Sequence, residues 1–271
     1  MTPRAALRSS AELVRSARQA LTRLGRRYVY RHQLRLITWL RHGRAHAAPI
    51  DPFTNLSVDP AAIESWIDFD RADFMRIRFD FGVRGGDWDL DTKPLSEHFV
   101  FASIDAHFNK GVPWEDTPIY AVAQAGIVAR DWRYHGCRTT TEIVDRLAQL
   151  DALYERVRRD GYRTQRELQV ADGEQPLHRR RHRPPEIDEV IVSIGRDGTF
   201  IFIDGIHRLS VAKVARVPSL PVCVLTRHAA WQDVRDRVAR APHSFPASVL
   251  AHPDLAGLGR RGAGPKVRDS S

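Results

Sequence analysis

The residues best placed to do chemistry in this chain are five in a row, Asp204-Gly205-Ile206-His207-Arg208. A β-rich run, Thr199-Phe200-Ile201-Phe202-Ile203, leads into them, and a helical pattern from Ile206 to about Arg216 follows. Backbone N–H groups at a helix start have no intrahelical partner and face the positive end of the dipole, so the place suits an anion. Gly205 permits a positive φ and a close backbone approach. His207 and Arg208 add donors on the first turn, and a guanidinium can grip a phosphate with two bonds. Asp204 could cap the helix or orient His207. A plain N-cap with a solvated arginine is the simpler reading of the same residues.

Carboxylates gather earlier in the chain. Arg84-Gly85-Gly86-Asp87-Trp88-Asp89-Leu90-Asp91 holds two glycines that free the backbone. Asp87 and Asp89 would project to one side if that stretch is extended. A second group comprises His107-Phe108 and Trp114-Glu115-Asp116-Thr117. Tryptophans beside acids suit the face of a sugar or polyol. The alternatives are a turn with solvated acids at 85–91, a helix cap at Asp116 over a core tryptophan, and a core histidine at 107.

The elements that must position these residues are legible in part. Leu56-Ser57-Val58-Asp59-Pro60 reads as a short strand, followed by helical turns through Ile63 and Trp66. Thr139-Thr140-Thr141-Glu142 is a capping box. It opens an amphipathic helix with Ile143, Leu147, Leu150, Tyr154 and Val157 on one face, and Gly161 is its natural stop. After a charged loop at 171–185, Val190–Ile194, the turn Arg196-Asp197-Gly198 and Thr199–Ile203 predict a hairpin. A buried strand at 221–225, holding Cys223, and a helix at 229–239 follow. The expected class is mixed α+β, a small mixed sheet with flanking helices. The expected organisation is a basic helical arm at 1–50, a domain at 51–240 with an acidic and aromatic insertion at 70–135, and a loop-rich tail at 241–271.

Asp204-Gly205-Ile206-His207-Arg208-Leu209-Ser210-Val211-Ala212-Lys213, followed by Val217-Pro218-Ser219-Leu220-Pro221-Val222, resembles the hallmark of the ParB/sulfiredoxin superfamily. The helix ending at Gly161 and the hairpin at 190–203 resemble that family's upstream elements, so the likeness covers roughly residues 140–228. The resemblance implies that Asp204, Gly205, His207 and Arg208 hold nucleotide phosphates, of ATP or ADP or of CTP. It also implies nucleotide contacts from Arg163, Thr164 and Gln165. Ile206 stands where sulfiredoxins place their catalytic cysteine, which excludes that chemistry. Only one convincing helix follows His228, which argues against a DNA-reading partition protein. The nearest characterised branch is free-serine-kinase-like, with Ile206 in place of its first histidine. It implies phosphoryl transfer to a small hydroxyl compound. Such transfer needs cations on the phosphates, metal-binding oxygens and a carboxylate for the accepting hydroxyl. Asp87 and Asp89 are then the candidate Mg²⁺ ligands, and Asp87, Asp89, Glu115, Asp116 and His107 the candidate catalytic residues.

Charge separates the remaining function classes. Of the net +9, residues 1–44 supply eleven arginines against Glu12 alone, so the rest of the chain sums to about −1. A core near neutrality argues against broad DNA-backbone binding, which needs clustered Lys and Arg. Residues 10–40 alternate arginines with Leu13, Ala17, Leu21, Leu24, Leu34, Ile37, Trp39 and Leu40. That pattern fits an anionic membrane surface, an ordinary docking helix, a disordered basic arm or RNA contact. No apolar run approaches the roughly 20 residues of a spanning helix. Two widely spaced cysteines match no metal or redox motif and fit a reducing cytosol. The expected location is cytoplasmic, with attachment to the inner membrane face as the alternative the basic arm leaves open. Three readings follow: a small-molecule kinase using ATP or ADP with Mg²⁺, a non-enzymatic nucleotide-binding regulator, and a DNA-acting protein or nuclease.

Overall fold

The computed structural model describes residues 29–67, 81–129, 134–170 and 184–258. The helical pattern at 10–28, the basic run His178–Arg183 and Arg260 and Arg261 lie outside the described residues. The chain is mixed α+β, built on one seven-stranded mixed sheet. Its centre is the predicted hairpin, β5 (Val190–Ile194) and β6 (Phe200–Asp204), beside β7 (Leu220–His228). The hairpin pairs antiparallel, and β5 pairs parallel with β7. Side chains alternate across these strands. Val192, Phe200, Phe202, Val222 and Val224 enter one core, and Ile191, Ile201, Ile203, Cys223 and Leu225 the other. Burial on both faces is why the strands read as continuous apolar runs. Cys223 is fully buried, and burial pushes its thiol up to about 12.

β1 (Asn55–Val58) pairs antiparallel with the start of β7, and β3 (Gly82–Arg84) pairs parallel with its end. On the other side, β2 (Ile63–Trp66) lies parallel to β6 and carries the two-residue β4 (Lys93–Pro94) at the edge. Here the expectation of helical turns through Ile63 and Trp66 is corrected. A 3₁₀ turn at Pro60–Ala62 ends at Ile63, and β6 then recruits the next residues as a strand. Tertiary pairing overrides the local pattern.

The helices are α1 (residues 29–38), α2 (Phe99–Lys110), α3 (Pro118–Ala129), α4 (Thr140–Asp160), α5 (Gln165–Val170), α6 (Ile206–Val214), α7 (Ala229–Arg240) and α8 (Ala247–Leu250). The Glu142 amide donates to the Thr139 hydroxyl at the start of α4, and Gly161 stops it at φ 78°. α6 lies between two layers: Leu209 and Ala212 meet the sheet, while Val211 and Val214 meet Ile104, Ile119, Leu147 and Leu150. The stretch read as an insertion therefore supplies core residues through α2 and α3. Residues 242–258, read as a loop-rich tail, also lie against the body: Leu255 is buried, and Asp254 pairs with Arg227 and Arg235.

Candidate functional site

β6 ends at Asp204, and Gly205 turns the chain into α6 with φ 93° and ψ 32°. This left-handed conformation is what calls for glycine. A Cβ here would stand 3.2 Å from Arg208 Nη2 and 3.3 Å from Val190 Cα, so even alanine would crowd the turn. Among the described residues no side chain caps the start of α6. The Gly205 amide donates instead to Asp204 Oδ1, at 2.9 Å. An arriving anion would meet that carboxylate at the edge of the turn.

The side chains of the first turn point to different places. His207 is buried and shares a 2.5 Å hydrogen bond with the Tyr134 hydroxyl, its ring 4.8 Å from that of His135. Burial pushes the Tyr134 phenol up, so it stays protonated. His207 thus anchors α6 to the loop before α4. Arg208 donates to the carbonyls of Asp188 and Glu189, just ahead of β5. Two of its three nitrogens are engaged there, which holds the guanidinium beside the turn.

Arg208 also links the turn to the segment after Gly161. Glu189 is buried, and its carboxylate accepts from the Gln165 amide at 2.6 Å and from the Tyr162 hydroxyl at 3.2 Å. Burial raises Glu189 to about 7, against the opposing pull of the Gln165 amide, the Arg208 charge and Tyr162. Thr164 and Glu167 form a reciprocal cap on α5: the Thr164 amide donates to Glu167, and the Glu167 amide to the Thr164 hydroxyl. The structure thus brings Gln165 to the Arg208 side of the turn through Glu189. Arg163 and Thr164 flank it. Sequence reasoning missed Glu189 and Tyr134. An acid abutting an all-apolar strand was the available signal for Glu189; Tyr134 had none.

The other predicted acids lie elsewhere. Asp89 accepts from the Arg196 amide at 2.8 Å and from the Arg196 guanidinium at 2.8–3.2 Å. Asp87 accepts from the same guanidinium at 2.7 Å. Arg196 sits in the hairpin turn, at the end of β6 opposite Asp204, which a strand rise of about 3.3 Å per residue places about 13 Å away. Asp89 is only 3% exposed. Burial pushes it up, but Arg196 outweighs burial and holds it at about 2. Both carboxylates are committed to one arginine, and the described residues contain no metal-ligating cluster of three or more His, Cys, Asp or Glu. Asp87 and Asp89, the expected Mg²⁺ ligands, are thus held by Arg196 at the far end of β6 from the Asp204 turn. They stitch the 85–91 loop to the hairpin. Asp89→Asn is expected to cost about 1–2 kcal/mol in urea unfolding, equally with and without Mg²⁺.

Glu115 and Asp116 are exposed in the 3₁₀ turn before α3. The buried Trp114 indole donates to Asp151 at 2.9 Å. His107 stacks on Trp114 at 4.0 Å and contacts Val112 O and Asp151, so it works as a packing histidine. A cleft of about 490 Å³ opens at the opposite end of α6, bordered by Asp59, Glu64, Phe101, Asp105 and Arg216. Lys213 closes one wall by donating to the carbonyls of Pro60, Ala61 and Ile63. Compared with protein-family models, curated proteins and solved structures, the chain matches none of them.

Proposed function

We propose that this protein binds the phosphates of a nucleotide, ATP or ADP or CTP, at the turn Asp204–Arg208. The observation that carries the reading is a left-handed glycine opening a nine-residue helix that no described side chain caps, with an arginine fixed beside it. A helix start with its positive dipole end and a guanidinium at one place suit a phosphate. The reaction proposed for the site is phosphoryl transfer to a small hydroxyl compound. In this arrangement Asp204 binds the Gly205 amide and the buried Glu189 carboxylate feels the Arg208 charge, whereas Asp87 and Glu115 lie on other parts of the fold. A second reading, a nucleotide-binding regulator without transfer, is favoured by the placement of the predicted catalytic acids on other parts of the fold.

The test is equilibrium binding of ATP, ADP and CTP to the full chain. Gly205→Val and Arg208→Ala are each expected to weaken binding about tenfold or more, given one charge-assisted bond lost or one strained turn introduced. Circular dichroism checks that both variants fold. Equal affinity in the folded variants and the wild type would sink the site. Nucleotide turnover with a panel of polyols and amino alcohols then separates transfer from binding alone.

A further inference from the structure

Helix α1 is mounted with its apolar side facing away from the protein. Its inner face is defined by contacts: Thr38 is buried and Leu34 packs against the core. Arg31 pairs with Glu186, Arg35 with Asp51, and both guanidiniums lie over the Phe53 ring. The helical period puts residues 29, 33, 36 and 37 on the other side, with Tyr30 on its flank, and a π-helical turn, Trp39–Gly43, follows. These positions and the following turn carry Val29, Tyr30, Leu36, Ile37, Trp39 and Leu40 around a single polar residue, Gln33, all exposed, with Leu36 at 55% and Leu40 at 64%. A surface helix ordinarily turns such a stripe inward. The other large exposed hydrophobics among the described residues are spread over the chain, whereas these six fall within residues 29–40, and such a concentration marks an interaction surface.

Charge identifies the occupant. Arg41 and Arg44 border the patch, and residues 1–28, which lead into it, contain seven further arginines against one acid. No helix among the described residues is long and apolar enough to cross a membrane. Apolar side chains over a basic rim match the interface of an anionic bilayer, where hydrocarbon lies beneath negative headgroups. We infer that α1 and the turn after it dock this protein on an anionic lipid surface, inserting Leu36, Ile37 and Leu40 while the arginines meet the headgroups.

The experiment is co-sedimentation of the full chain with phosphatidylcholine vesicles, with and without phosphatidylserine. The wild type is expected to bind the phosphatidylserine vesicles and to release as salt rises. Leu36→Glu and Leu40→Glu are each expected to lower the partition coefficient about tenfold, because one apolar contact is lost per substitution. Both positions are exposed, so the unfolding midpoint should stay unchanged. Failure of the wild type to bind, or equal binding by folded variants, overturns the proposal. So does a concentration-dependent dimer that Leu40→Glu abolishes, since a second copy would then cover the face.

Discussion

Replacing Asp254 by alanine is expected to destabilise the protein by about 3–5 kcal/mol, the cost of removing one partner from a buried ion pair. Asp254 is nearly inaccessible; its carboxylate accepts from Arg227 at 2.7 and 2.9 Å and from the Trp231 indole at 3.0 Å, and pairs with Arg235 Nε at 3.1 Å. Both arginines are buried as well. Without the carboxylate they would remain as two neighbouring cations, each screened little by water. Burial already lowers Arg235 to about 10, with Arg227 pushing in the same direction. Asp254→Asn keeps the acceptor oxygen and should fall between alanine and wild type. Burial pushes the Asp254 carboxyl up, but the two arginines and Trp231 outweigh it, and the net shift is downward. Its stabilisation is therefore present above the ordinary carboxylate value and is lost as pH falls through the lowered one. Urea unfolding across pH reads both effects. An alanine variant as stable as wild type would show the network to be dispensable.

The second large effect concerns Glu189 and has the opposite sign. Moving a buried carboxyl from 4.5 to about 7 corresponds to about 3 kcal/mol. Because the folded value is raised, the contribution is complete below 4.5 and is lost as pH rises through about 7. The wild type should lose stability across that window, and Glu189→Gln should remove the slope. Glutamine can still accept from the Gln165 amide, and the Tyr162 hydroxyl can rotate to accept from its amide nitrogen. The variant is thus expected to be the more stable protein above pH 7, as read by thermal or urea unfolding. A variant with the wild-type pH slope would place the titration on another group.

Local signals explain what could be read beforehand. The capping box at Thr139 and the stop at Gly161 bound α4, and Asp197-Gly198 marks the turn between two apolar runs. The conformation of Gly205 follows from the order of strand, glycine and helix. Ile63–Trp66 was misjudged because strand pairing with β6 is a distant event that leaves no periodicity in four residues. Asp87 and Asp89 invited a catalytic reading because paired acids beside glycines look available. Their partner, Arg196, lies more than a hundred positions away. Glu189 and Asp254 look like solvated acids in sequence. Burial, which makes both consequential, is set by residues the chain returns to much later or much earlier.

The short turn Pro185–Asp188 has a mechanical consequence. Arg31 of α1 grips the Glu186 side chain, Asn55 of β1 binds the Glu186 carbonyl, and Arg208 rests on the Asp188 carbonyl. Three distant parts of the chain therefore stand on one four-residue footing. A pull on α1 loads the same backbone that positions the guanidinium beside Gly205. The turn is a shared anchorage, since the outer helix and the inner arginine both bind the same short segment.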